Sequence, residues 1–263
     1  MLSPSHKKMA TKNMEKTLNF WFGSSHFLRR DHDWKVFRDF ENALRTLFLR
    51  EEFNPGGRFE LPQVMGRSGG KLDQQCVNEI MASVYQHWDS KQLYIMGRGS
   101  NDIRKWKKNY LVWLERIEQL CLFFKECREA GARVHLVICT PVPSPATPEL
   151  EPLFRDSEDI IGTLLKLRDF RDSRSGIQPS YLNLSSLVPL RDEDGNVELD
   201  YDKGSLFHSD HIHLNCVGTA KACTKLQINQ SLKSVRHFFI FADQKKCDHP
   251  TGKNEKRIDC KMS

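Results

Sequence analysis

No stretch of this 263-residue chain holds eighteen consecutive apolar residues, so no membrane-spanning helix is expected. The opening residues, "MLSPSHKKMATKNMEK", lack the apolar core of a secretory signal. Paired cysteine spacing is missing too. The eight cysteines, at 76, 121, 127, 139, 216, 223, 247 and 260, are scattered. That pattern excludes a disulfide framework and favours reduced thiols in a cytoplasmic compartment. No internal repeat and no heptad array is visible. The centre of the chain also lacks a charge excess. Of the net +6, residues 1–16 supply +3 (four Lys against one Glu) and residues 234–263 another +3 (seven Lys and Arg against four Asp and Glu). Residues 17–233 are therefore balanced, and no basic groove for nucleic acid is implied there. The basic excess reads as a tail, 1–16, and a C-terminal extension, 234–263. Both are expected to be disordered and solubilising, with weak contact to nucleic acid or an anionic membrane as the alternative.

What is present is an alternation of two periods. "TLNFWF" (17–22), "RFELPQVM" (58–65), "KQLYIM" (91–96), "ARVHLVIC" (132–139) and "SYLNLSSL" (180–187) read as strands. Between and after them, helical periodicity appears over 33–52, over 72–88, after residue 103, over 159–170 and over 217–232. Cys76, Val77, Ile80, Val84 and Trp88 fall on one side of the second helix. Trp106, Tyr110, Trp113, Ile117, Leu120 and Phe124 form a core stripe on the third. Strand and helix in alternation predict an α/β, three-layer sandwich: one domain over 17–233, with a mostly parallel sheet and helices on both faces. Chemistry is then expected on the loops at the carboxyl ends of the strands.

Those loops carry distinctive residues. The first strand runs into "FGSSH", where Gly23 permits a tight turn and a serine follows; an ordinary helix-capping serine has the same appearance. "MGRSGGKL" holds three glycines in five residues and can present bare backbone N–H groups, or be a plain turn. "GRGSND" delivers Asn101, whose NH2 group can donate to an oxyanion or cap a helix. "SDHIHLN" places Asp210 three residues before His213, a spacing that lets a carboxylate orient one imidazole nitrogen and leave the other for catalysis. His208, His211 and His213 could instead be metal ligands, since alternate residues on a strand face one way.

Taken together and in this order, "FGSSH", "GRSGG", "GSND" and "DHIH" resemble the four blocks of the SGNH (GDSL-type) hydrolase superfamily, a flavodoxin-like α/β fold. The resemblance runs from about residue 17 to 233. It implies a serine esterase or acyl hydrolase with Ser25 as nucleophile, His213 as base and Asp210 as its orienting carboxylate. The Ser25 N–H, the Gly69 N–H (Gly70 is adjacent) and the Asn101 side chain would form the oxyanion hole. It implies no metal and no cofactor. The expected substrate is a small-molecule or lipid ester, a thioester or an O-acetyl group. Ser24 stands where the superfamily usually has Asp. The "GSSH" form resembles esterase-like domains of animal retroelement proteins. The superfamily also contains non-catalytic, RNA-binding members, so a module binding RNA or anionic lipid on the same fold is the alternative.

Overall fold

The computed structural model describes residues 15–24, 49, 57, 59–67, 69–103, 110–142, 146–184, 206, 207 and 212–214. Five strands form one sheet: β1 (Leu18–Gly23), β2 (Gln63–Gly66), β3 (Gln92–Gly97), β4 (Val134–Cys139) and β5 (Ser180–Leu182). Their order is β2-β1-β3-β4-β5, and every pairing is parallel. Four helices are described: α1 (Gln74–Gln86), the short α2 (Ser100–Ile103), α3 (Tyr110–Glu129) and α4 (Glu151–Leu167). This is the α/β architecture expected from the alternating periods.

Strands β1, β3 and β4 are rich in apolar residues on both sides because both faces of the sheet are buried along them. Phe20, Phe22, Tyr94, Met96, Val134, Leu136 and Ile138 join one cluster with Cys76, Val77, Ile80 and Val84 of α1, Trp113, Ile117, Leu120 and Phe124 of α3, and Phe154, Ile161 and Leu165 of α4. The steps β2-α1-β3, β3-α3-β4 and β4-α4-β5 all run in one direction across the sheet. Right-handed crossovers therefore set these three helices on the same face. The alternate residues Trp21, Leu93, Ile95, Val137 and Cys139 face the other way and are buried as well. The helices expected over 33–52 (apart from residue 49) and over 217–232 lie outside the described residues.

Three boundaries differ from the sequence expectation. β2 begins at Gln63, after Pro62, although Thr17 and Phe59 already bridge ahead of it. Tyr110 opens α3, which is separate from α2; Trp106 lies outside the described residues. Helix α4 starts at Glu151 rather than 159, with a 3-10 turn at Pro148–Leu150 leading in and Pro152 in its first turn. Proline at that position needs no intrahelical N–H partner, so it starts the helix instead of stopping it. The four described cysteines, Cys76, Cys121, Cys127 and Cys139, are free and buried.

The edge of the sheet remote from the loops described below is fastened by a buried ion pair. Arg128 Nε lies 2.9 Å from Asp172 Oδ2, and each side chain is 1% exposed. Arg128 Nη2 also donates to the carbonyls of Phe170 and Ile177. Asp172 in turn accepts from the Arg174 and Ser175 backbone N–H groups and from the Ser175 hydroxyl. The segment that returns the chain from α4 to β5 is thereby tied to the end of α3.

Glu15 and Lys16, the last residues of the predicted tail, are the first of the described residues. Glu15 accepts two hydrogen bonds from Arg133 at 2.6 Å, and Lys16 lies 3.7 Å from Glu60.

Candidate active site

Three adjacent strands end on glycine at one level. Gly23 of β1 is in register with Gly66 of β2 on one side and with Gly97 of β3 on the other. This row has no side chains, so three loops leave the sheet close together. The Arg67 N–H donates to Gly23 O at 3.1 Å and continues the pairing one residue beyond the strand. The chain goes outward from β1 to β2 and then crosses back to β3, so the direction of winding reverses here. In open α/β sheets the crevice at the carboxyl ends beside such a reversal is where ligands bind.

Gly69 and Gly70 lie on the loop after β2. Gly69 is exposed and has φ +64°, a conformation other residues resist. Gly70 is buried, and its N–H closes a turn onto Arg67 O at 2.9 Å. A Cβ at Gly70 would stand 2.8 Å from that same carbonyl oxygen, closer than packed atoms approach. The two adjacent glycines therefore have different duties. The N–H of Gly70 is engaged within the turn, while Gly69 sits at its exposed tip.

Asn101, in α2, donates from Nδ2 to Gly70 O at 3.1 Å. An amide NH2 has two hydrogens. This bond uses one of them and fixes the plane in which the second lies. Asp102, next in the chain and 4% exposed, accepts from the Leu72 N–H at 3.1 Å through Oδ2. The loops after β2 and β3 are thus joined side by side, with Gly69 and Asn101 on the joined segments.

His213 is half-buried. The antiparallel bridge between Phe207 and Leu214 brings together the ends of the segment that contains it. His135, on β4, is unsuited to act as a base. It is fully buried, its Nε2 is 3.0 Å from Ser180 Oγ, and burial, followed by the charge of Arg128, pushes its imidazole down to about 3. Ser24 is fully buried, and its hydroxyl has no hydrogen-bond partner among the described residues. Ser25, Asp210, His208 and His211 lie outside the described residues. The structure therefore brings Gly69, Gly70 and Asn101 together. Among the described residues no cluster of three metal-ligating side chains occurs.

Solved structures with the same arrangement of strands and helices carry the comparison further. A family 3 carbohydrate esterase from Clostridium thermocellum superposes with a TM-score of 0.56 and 13% identity, over 86% of this chain and 100% of the esterase chain. A member of the lipolytic protein G-D-S-L family from Veillonella parvula superposes with a TM-score of 0.52 and 12% identity, over 81% of this chain and 97% of that one. The chain shares the α/β fold of these esterase and lipolytic structures. The fold is shared at identities where sequence alone finds little: no family model and no curated protein matches this chain. The likeness of "GSSH" to retroelement esterase-like domains is untouched by these structures.

Two residues at these loops, Asp102 and Arg98, received no role from the sequence. Asp102 belongs to the "GSND" block, and Arg98 stands between Gly97 and Gly99. Neither residue's burial has a local signal. Charged residues beside glycine usually face water, and only the stacking of three loops encloses these two.

The position of Asp102 gives a pH-dependent expectation. Burial pushes its carboxyl up to about 6, against the lowering effects of the Leu72 N–H bond and Lys71 and with a small raising effect of Asp73. A carboxyl raised on folding binds its proton more tightly in the folded state. Its charged form therefore costs stability above about pH 6, and the cost disappears as pH falls towards 4. Asparagine keeps an acceptor oxygen for Leu72 N–H and carries no charge. Asp102→Asn is expected to stabilise the protein by about 1–3 kcal/mol at pH 7.5 and by little at pH 4.5. Thermal melts followed by circular dichroism at the two pH values measure the difference. An equal effect at both would refute the assignment.

Proposed function

We propose that the protein is a serine hydrolase of carboxylic esters, acting through an acyl-enzyme on a small-molecule or lipid ester, a thioester or an O-acetyl group. Ser25 is the nucleophile, His213 the base and Asp210 its orienting carboxylate. The Ser25 N–H, the Gly69 N–H and Asn101 Nδ2 receive the oxyanion. The observation that carries this reading is the bond from Asn101 Nδ2 to Gly70 O beside the glycine row. It sets a side-chain amide and an exposed glycine next to the strand end that leads directly into Ser25. The solved esterase and lipolytic structures of the same fold support it.

The reaction follows from those groups. His213 takes the Ser25 proton as the oxygen attacks the ester carbonyl. Negative charge then develops on the carbonyl oxygen, where the amide donors are stronger partners than they are for the neutral ester. Collapse of the tetrahedral intermediate expels the alcohol, which receives the proton from His213. Water attacks the acyl-enzyme in the same manner and releases the acid. Gly69 suits the donor role better than Gly70, whose N–H is engaged with Arg67 O. A fluorophosphonate probe tests the reading directly. The label is expected on the peptide containing Ser25. A folded protein that takes no label, or takes it elsewhere, would refute it.

A further inference from the structure

Arg98 is buried, with 2% of its surface exposed, in the residue that follows β3. A guanidinium removed from water requires partners for its N–H groups. Two of them are backbone carbonyls on two other loops. Nε donates to Gly23 O at 3.3 Å and Nη1 to Lys71 O at 3.0 Å. One side chain therefore connects the ends of β1 and β3 with the loop after β2. Its contacts fall in an ordered series. Along the β2 loop, Gly70 O, Lys71 O and Leu72 N–H are polar groups of three successive residues. They meet Asn101, Arg98 and Asp102 in turn. The Lys71–Leu72 peptide is held at both ends, its oxygen by a cation and its N–H by a carboxylate, which matches the peptide dipole at each end. Leu72 is itself buried, at 1% exposure, so the grip is anchored in the core.

We propose that Arg98 is a positioning residue for the oxyanion pocket: its guanidinium sets the spacing between the Gly23 turn, which leads into Ser25, and the loop that carries Gly69. The inference rests on the esterase reading and goes beyond it, because Arg98 touches neither the substrate nor the reacting atoms. Arginine suits the task where lysine does not. A planar fork presents N–H groups in two fixed directions, whereas an ammonium on a flexible stem is a single point charge. Oxyanion donors act chiefly in the transition state, so misplacing them lowers kcat more than it raises KM.

The test uses full-length Arg98→Met, which keeps the length of the stem, together with Arg98→Lys and Arg98→Ala. Two readouts are taken: hydrolysis of p-nitrophenyl acetate, and hydrogen–deuterium exchange of peptides covering 66–72 and 97–103. Arg98→Met is expected to lose about 10- to 100-fold in kcat with KM changed less than about 3-fold. Exchange should rise in both loop peptides and stay unchanged in α3. Arg98→Lys should not restore kcat. Guanidinium ion at millimolar concentration should restore part of it to Arg98→Ala, and sodium chloride at equal concentration should not. Unchanged kcat, a loss of kcat without faster loop exchange, or faster exchange throughout the molecule would each overturn the proposal. If Arg98→Met fails to fold, Arg98→Lys carries the same comparison. A wild-type protein without turnover would refute the esterase reading and the catalytic consequence with it. Faster exchange confined to the two loops would even then establish the tie between them.

Discussion

Ser25→Ala is expected to lower ester turnover by about 10⁴- to 10⁶-fold, leaving only what the oxyanion donors and binding provide. An alcohol becomes a competent nucleophile only when a base removes its proton, so His213→Ala should cost about as much. The double variant should be little worse than either, because the two residues act on one proton. Asp210→Asn should cost less than either single alanine variant, since base and donors remain. The neighbouring serine supplies the internal control. Ser24 is fully buried and its hydroxyl has no partner among the described residues. Ser24→Ala therefore removes no described hydrogen bond and should retain measurable turnover. Plate kinetics on a short-chain aryl ester, with circular dichroism to establish folding, decide the matter. A folded Ser25→Ala protein with wild-type turnover would eliminate the proposed mechanism.

The largest expected loss of stability lies at the opposite end of the sheet. Asp172→Ala leaves the Arg128 guanidinium buried without its carboxylate, and breaking such a pair from one side costs about 3–5 kcal/mol. It also removes the acceptor that holds the 172–175 turn through Ser175 and Arg174. A fall in Tm of roughly 10 °C is expected. Burial alone would raise the Asp172 carboxyl, but the bonds from Ser175 and Arg128 outweigh it and the net direction is down. A carboxyl lowered on folding contributes stability that is complete above its unfolded value near 4. That contribution is lost as pH falls below it through the lower folded value. The Tm difference between wild type and Asp172→Ala should therefore narrow in acid. Turnover per folded molecule should not change, because Asp172 is tied to the carboxyl end of α3 and stands away from the Gly23–Gly66–Gly97 row. A variant that melts with the wild type would show that the pair contributes nothing net.

Arg128 and Asp172 also mark how far the chain could be read without its structure. They are separated by 44 residues, and nothing local to either announces a buried pair. The aromatic and aliphatic stripe of α3 did announce itself. Trp113, Ile117, Leu120 and Phe124 recur at helical spacing, and all are fully buried. The start of α4 was less legible: the helix was expected from residue 159, whereas it begins at Glu151 after a 3-10 turn at Pro148–Leu150. Asn101 stood out because a carboxamide follows a strand and a glycine turn. Which of two adjacent glycines offers a bare N–H depended on a turn that the sequence does not spell out.

The sequence by itself determined the alternation of buried strands and amphipathic helices, and with it a parallel sheet whose chemistry belongs at one edge. Period and burial are local properties, written into every few residues, so they survive when no relative is detectable by sequence. It also determined the types of residue presented at that edge. The tertiary structure decided their arrangement: that Gly23, Gly66 and Gly97 end at one level, that Asn101 meets the Gly70 carbonyl, and that Arg98 and Asp102 hold the two ends of one peptide. Those contacts join residues 27 to 75 positions apart. Their geometry is set by strand order and register, which no single segment of the chain encodes.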